Sequence, residues 1–162
     1  MKLIISDSCS LILLEKSKIL KIFLKYNQII IPNAVYEETV INGMRAGYSD
    51  AKEINNYIKS KSIVVKKVKK ILNIKMDSGE KEAISLYLEL NANLLLTDDK
   101  QAITFCKIKD INYVTTPEII YKMYLLKRIN KKMILSALKT ISEEGWYKPN
   151  IIIKYYDMII GD

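Results

Sequence analysis

Short apolar runs alternate with amphipathic stretches along most of this chain, and acidic residues recur where it leaves one of those runs or enters the next helix. No other feature restricts the fold as much. Lys2 to Ser6, Gln28 to Ile31, Ile63 to Val65, Asn93 to Thr97 and Ile111 to Val114 read as buried strands, with Leu94-Leu95-Leu96 the most strand-like of all. Helical stripes separate them. One starts near Ser8 and breaks near Ser17. A second, after Pro32, runs through Val35, Tyr36 and Val40 to a stop at Gly43, and a third covers Ser49 to Lys59. Asp77 and Glu80 are spaced as a capping box ahead of Ala83, Ile84, Leu86, Tyr87 and Leu90. A helix over about Lys100 to Lys107 and another opened by Thr116-Pro117-Glu118 follow. This rhythm predicts right-handed crossovers, hence a three-layer α/β/α fold around a central, mostly parallel sheet. Past Glu118 no strand is visible, only amphipathic helices over roughly 117–128, 131–143 and 150–159, broken at Gly145 and Pro149.

A chain of 162 residues, 49% hydrophobic, with 5 glycines and 3 prolines and no low-complexity tract, is expected to form a single domain over 1–162. Its core is expected at about 1–128 and its helical tail at about 129–162. The apolar start, broken by Asp7, is too short for a signal segment, and no stretch approaches a membrane span, so a cytoplasmic address without membrane association is expected. Cys9 and Cys106 are too few for a disulfide framework or a zinc site. The absence of histidine excludes Ser-His-Asp and Cys-His nucleophiles and two-histidine iron sites within this chain. Neither GxxxxGK[ST] nor GxGxxG occurs. What remains is carboxylate chemistry.

Asp7, Glu38, Glu80 and the adjacent Asp98 and Asp99 carry it. In a parallel sheet they share the carboxyl edge, where open α/β sheets bind ligands, and a divalent cation is the usual reason to assemble such acids. Each has a plainer reading beside the ligand reading. Asp7 sits where an aspartate caps a helix, Glu38 where an acid complements a helix dipole, and Glu80 where it completes the capping box with Asp77. Two adjacent acids after a buried strand exceed what one cap needs. Neighbours in a helical turn diverge by about 100 degrees, so one of Asp98 and Asp99 is expected to face the cleft while the other caps, with Asp99 the ligand. Asp-based phosphatases are excluded because Asp7 is followed by Ser8, Cys9, Ser10 and Leu11 rather than DxDxT. A receiver domain would place its acidic pair after the first strand.

In order and spacing these residues resemble the PIN-domain ribonucleases, which include the toxin halves of prokaryotic toxin–antitoxin pairs. The resemblance rests on ISDSCSLI, on Pro32-Asn33-Ala34-Val35-Tyr36-Glu37-Glu38, on GEKEAISL and on LLLTDDK, and the tail from Ser136 onward looks like a branch with two extra helices. It implies that Asp7, Glu38, Glu80 and Asp99 occupy the catalytic and metal positions, with Asp98 a near neighbour and further metal candidate. Ser8 would support that shell. One or two Mg²⁺ or Mn²⁺ ions held there would activate water for hydrolysis of single-stranded or structured RNA, leaving 5′-phosphate and 3′-hydroxyl ends. Cys9 departs from the pattern. It stands where the family often has a hydrogen-bonding Ser or Asn, and a thiol is a poorer donor. The alternative function is a non-catalytic or weakly active RNA-binding module.

The net charge of +8 is concentrated, with eight lysines against Glu53 between Lys52 and Lys75. That run is either a solvated face or an electrostatic footprint for RNA through Lys66, Lys67, Lys69 and Lys70, with Lys100 a further phosphate contact. The tyrosines and methionines fall mostly on core stripes, while Trp146-Tyr147 is the exception, an anchor for an antitoxin protein or a second protomer. The apolar surface of the tail leads to the expectation of a homo-oligomer, a dimer, or of a bound partner.

Overall fold

The computed structural model describes residues 2–161. Five parallel strands, β1 (Lys2–Ser6), β2 (Asn27–Pro32), β3 (Ile63–Lys66), β4 (Leu94–Leu96) and β5 (Tyr113–Val114), lie in the order β3-β2-β1-β4-β5. The chain therefore builds outward from β1 in one direction, then returns to its other side. This reversal between β1 and β4 opens a crevice at the carboxyl edge, where the connections leave in opposite directions. Register brings the edge level: Ser6 pairs with Leu96, Pro32 with Lys66 and Leu96 with Val114. Asp7 N–H donates to the Leu96 carbonyl at 3.1 Å, which sets the first acid beside the end of the fourth strand.

Alternation along the strands divides the interior into two layers. Ile4, Ile29, Ile31, Ile63, Leu96 and Val114 face one side, where they join Leu11 and Leu14 of α1 (Ser8–Lys16) and Ile54 of α5 (Ser49–Lys59). Ile5, Ile30 and Leu95 face the other, against Ala83, Ile84 and Leu86 of α6 (Ser78–Leu90) and Ala102 and Cys106 of α7 (Lys100–Ile108). A fully buried leucine or isoleucine contributes roughly 1.5–3 kcal/mol, so this split explains why the strand runs are apolar on both faces. A short helix α2 (Leu20–Phe23) closes the first crossover.

The tail is part of the first layer. Three helices, α8 (Thr116–Leu125), α9 (Lys131–Glu144) and α10 (Pro149–Ile160), bury Ile120, Ile134, Ala137, Leu138, Ile141, Ile152 and Ile159 in the same cluster as the sheet. Much of the apolar surface of α8 and α9 is thus spent inside the domain, while Leu125 of α8 and Ile151, Ile153, Met158 and Ile160 of α10 stay exposed.

The helix after β2 differs from the expectation of a stop at Gly43. Residues 33–45 form one run, α3 (Asn33–Tyr36), a π-helical turn Glu37–Ile41 and α4 (Asn42–Arg45). Gly43 lies inside it, and a Cβ there would stand 2.6 Å from the Ala51 Cβ, so glycine serves close helix packing. The reversal comes at Gly47, with φ of +77°.

Candidate metal centre at the carboxyl edge

Asp7 follows β1 directly and its two oxygens have different surroundings. Oδ1 accepts from the Ser10 N–H at 2.9 Å and caps α1. Oδ2 is buried without a hydrogen-bond partner. Cap and ligand readings are therefore compatible in one side chain, because the cap occupies one oxygen and leaves the other without a partner. Burial pushes the Asp7 carboxyl up to about 7, a rise that the Thr97 hydroxyl and the Ser10 N–H only partly offset and to which the Asp98 charge adds.

Glu38 is carried in by the π-helical turn. Its Oε2 accepts from the Ser8 hydroxyl, and the carboxylate lies over Gly79, where an added Cβ would stand 2.6 Å from Oε2 and 2.9 Å from Oε1. A π-turn carries an extra residue between hydrogen-bonded partners, and such turns concentrate at functional sites. Glu80, next to Gly79 in the first turn of α6, is raised in pKa by desolvation first, then by the charges of Asp99, Glu38 and Asp77. The capping box expected with Asp77 is not formed. Asp77 occupies the N-cap position without a side-chain hydrogen bond.

The adjacent acids after β4 divide their roles differently from the expectation. Asp99 is the cap, its Oδ1 accepting from Ala102 N–H at 2.8 Å. Asp98 caps nothing in its own helix. Its Oδ1 accepts from Thr116 N–H at 2.8 Å, and its Oδ2 accepts from the Ser10 hydroxyl at 2.6 Å and from the Thr116 hydroxyl. Both Asp98 oxygens are thus engaged by protein donors, and the residue ties β4 to α1 and to the start of α8. Asp99 keeps one oxygen clear of its cap, as Asp7 does.

Cys9 lines the groove beside Glu80 and Asp99. Desolvation first, then the charges of Asp7, Asp98, Glu80 and Asp99, push its thiol up to about 12, so it is protonated at neutral pH and no nucleophile. Its weak donor strength costs little here, because the neighbouring hydroxyls of Ser8 and Ser10 make the bonds to Glu38 and Asp98.

The oxygen-only donor set at one edge suits a hard divalent cation. The buried Asp7 Oδ2 without a donor is the most direct sign that a positive charge fits. As the side chains stand, no group of three or more carboxylates or thiols among the described residues converges as a metal cage. Glu38 is drawn to Ser8, and Asp98 to Thr116 and Ser10.

The lysine run does not form one patch beside this edge. Lys66 ends β3 and pairs in register with Pro32, at the carboxyl edge. The chain then crosses to the far end of α6, where the Lys69 N–H donates to Glu89 at 2.8 Å, before climbing back past Ser85 toward Asp77. Nine helical residues separate Glu80 from Glu89, about 13 Å at 1.5 Å per residue, so Lys69 and Lys70 lie away from the acids. Lys75 instead returns next to Lys100, which also lines the groove with Glu80 and Asp99. Lysines close in sequence are thus spread along α6 because the connector doubles back.

Gly79 and Thr116 are site-building residues that sequence reasoning did not single out. We expect Gly79→Ala to change stability by no more than about 1 kcal/mol, since alanine is the better helix former. Its methyl would displace the Glu38 carboxylate and disturb the Ser8 contact. Loss of metal-dependent activity at near-normal melting temperature is the expected pairing, and wild-type activity would show that the Glu38 position is immaterial.

The structure is similar to a PilT N-terminus domain protein from the hyperthermophilic archaeon Sulfolobus solfataricus P2, with 19% identity, covering 85% of this chain and 94% of that one, at a TM-score of 0.47. It is also similar to a domain of a functionally unknown protein from Methanocaldococcus jannaschii DSM 2661, with 19% identity over 71% of this chain and 91% of that one, at a TM-score of 0.50. No curated protein matches the chain. The family model DUF3368, a PIN domain, matches residues 3–156, which takes in β1 from its second residue, β2 to β5, α8, α9 and most of α10. PIN domains are in general nucleases that use divalent metals. With that match spanning nearly the whole chain, the protein belongs to the PIN-domain family.

Proposed function

We propose that the protein is a divalent-metal-dependent endoribonuclease and the toxin of a toxin–antitoxin pair, acting from the cytoplasm. The observation that carries this reading is the buried, unpartnered Oδ2 of Asp7 at the sheet's reversal point, on the edge shared with Glu38, Glu80 and Asp99. Asp7 Oδ2, Glu80 and the second oxygen of Asp99 would hold Mg²⁺ or Mn²⁺, with Glu38 closing the set. When bound, the ion supplies an activated water and charge stabilisation for in-line attack on a phosphodiester. Ser8 orients Glu38, and Asp98 holds α1, β4 and α8 so that Asp7 and Asp99 keep their places. Lys100, with Lys66 and Lys67, supplies positive charge to the RNA backbone near the edge. Lys69 and Lys70 contribute to long-range attraction.

Incubation of the purified protein with a mixed RNA pool in Mn²⁺ or EDTA tests the reading. Cleavage in Mn²⁺ that leaves 5′-phosphate ends, lost in EDTA, is the expected result. Binding linkage should also raise the melting temperature with Mn²⁺. RNA binding without cleavage under any divalent ion would replace the enzyme with an RNA-binding module.

A further inference from the structure

The groove beside the carboxylates has a second wall, made by the turn between α9 and α10. Trp146, Tyr147, Lys148 and Ile151 line it together with Asp99 and Lys100, around a volume of about 540 Å³. Gly145 explains how this turn is set. A Cβ at Gly145 would stand 2.7 Å from the Tyr147 ring, so only glycine lets that ring fold back toward the α9 terminus. Tyr147 points inward, its hydroxyl buried without a hydrogen-bond partner and its pKa raised by desolvation and by the Asp98 charge. Trp146 is then turned outward and is 95% exposed. A lone exposed apolar side chain is ordinary on a protein surface, so exposure alone says nothing. Its location is what matters. An indole on a turn shares one groove with Lys100 and Lys148 and with the acids Glu80, Asp98 and Asp99.

We propose that this turn is a stacking platform for an unpaired base of single-stranded RNA, with Lys100 and Lys148 receiving the flanking phosphates. Flat aromatic surface between cations suits a strand whose bases are splayed out, since every base offers a π-face and every linkage a negative charge. A duplex keeps its bases stacked on each other and presents none to Trp146. The groove therefore selects single strands over double strands without reading sequence. The inference rests on the nuclease reading for its substrate, and it assigns the tail a part in binding that the carboxylates do not have.

Trp146 is the single tryptophan of the chain, so its emission reports this site alone. Titration of the full protein with a short single-stranded RNA, in Mg²⁺ before turnover and at equilibrium in EDTA, should quench that emission saturably. The same RNA as a duplex should quench far less. Trp146→Ala should bind single strands on the order of ten-fold more weakly, and Trp146→Phe should keep most of the affinity. Absence of quenching, equal quenching by duplex, or unchanged affinity in Trp146→Ala would overturn the proposal. Emission that responds to protein concentration but not to RNA would overturn it too, in favour of a protein contact. Quenching without cleavage in any metal would remove the nuclease reading and leave this inference standing. Cleavage with unaltered KM in Trp146→Ala would do the reverse.

Discussion

Asp7→Asn should abolish RNA cleavage and, in the metal-free protein at pH 8.5, raise the melting temperature. Most inactivating substitutions of a buried site residue destabilise; this one is expected to do the opposite. Folding lifts the Asp7 carboxyl from an ordinary value of 3.8 to about 7, so the folded state binds the proton more tightly than the unfolded state. Above pH 7 the group is charged in both states and folding carries the full cost of burying it. As pH falls from 7 toward 4 the folded group takes up its proton first, and wild-type stability rises through that window. Three pKa units correspond to about 4 kcal/mol. The asparagine amide introduces a buried donor that offsets roughly 1–3 kcal/mol of this. A net gain of about 1–3 kcal/mol, a few degrees for a domain of this size, is the expected result at alkaline pH. The gap between variant and wild type should close as pH falls to 4, and Mn²⁺ should stabilise the variant less than the wild type. Melting curves across pH, with and without Mn²⁺, check all of this. If the variant cleaves like wild type and gains the same Mn²⁺ stabilisation, Asp7 is only the cap of α1.

Asp98→Ala should have the largest effect on stability, and the contrast with Asp99→Ala separates two neighbours that are identical in type. Removing the Asp98 carboxylate leaves the Thr116 N–H, the Thr116 hydroxyl and the Ser10 hydroxyl without their acceptor. Thr116 and Ser10 are both fully buried. Unsatisfied buried donors cost roughly 1–3 kcal/mol each, so a loss of about 3 kcal/mol or more is expected, on the order of 10 °C in melting temperature. Asp99→Ala removes one helix cap, worth about 1 kcal/mol. The first variant should unfold early, and the second should fold nearly normally yet fail to cleave. Thermal melts beside an RNA cleavage assay distinguish them. The reverse pattern would show that Asp98 faces the substrate and Asp99 serves the fold.

What could be read from the sequence was local. The strands were legible because Ile, Val and Leu runs such as Ile29-Ile30-Ile31 and Leu94-Leu95-Leu96 are bracketed by polar residues and because helical stripes separate them. The edge position of the acids followed from that rhythm alone. Roles that depend on distant partners could not be read. The division of labour between Asp98 and Asp99 is decided by Thr116, eighteen residues on, and by Ser10, eighty-eight residues back. Asp77 and Glu80 have ideal spacing for a capping box, yet Asp77 makes no side-chain cap bond in a helix start where Glu80 is crowded by the charges of Asp99 and Glu38. Trp146, like every aromatic beside a helical stripe, carries no mark in sequence that says whether it turns in or out; Gly145 decides it through the Tyr147 ring.

The π-helical turn at Glu37–Ile41 has a consequence for chain length. Its bonds span one more residue than those of an α-helix, so the segment after Pro32 has one residue beyond what a regular helix over the same distance needs. That surplus lets Glu38 meet Ser8 while Gly43 still seats against Ala51. Deleting a single residue between Glu38 and Gly43 would restore regular winding, and the helix would then satisfy only one of these two contacts. In this part of the chain, length tolerance is set by the reach of one carboxylate, and an insertion or deletion there would be more disruptive than most substitutions of the same residues.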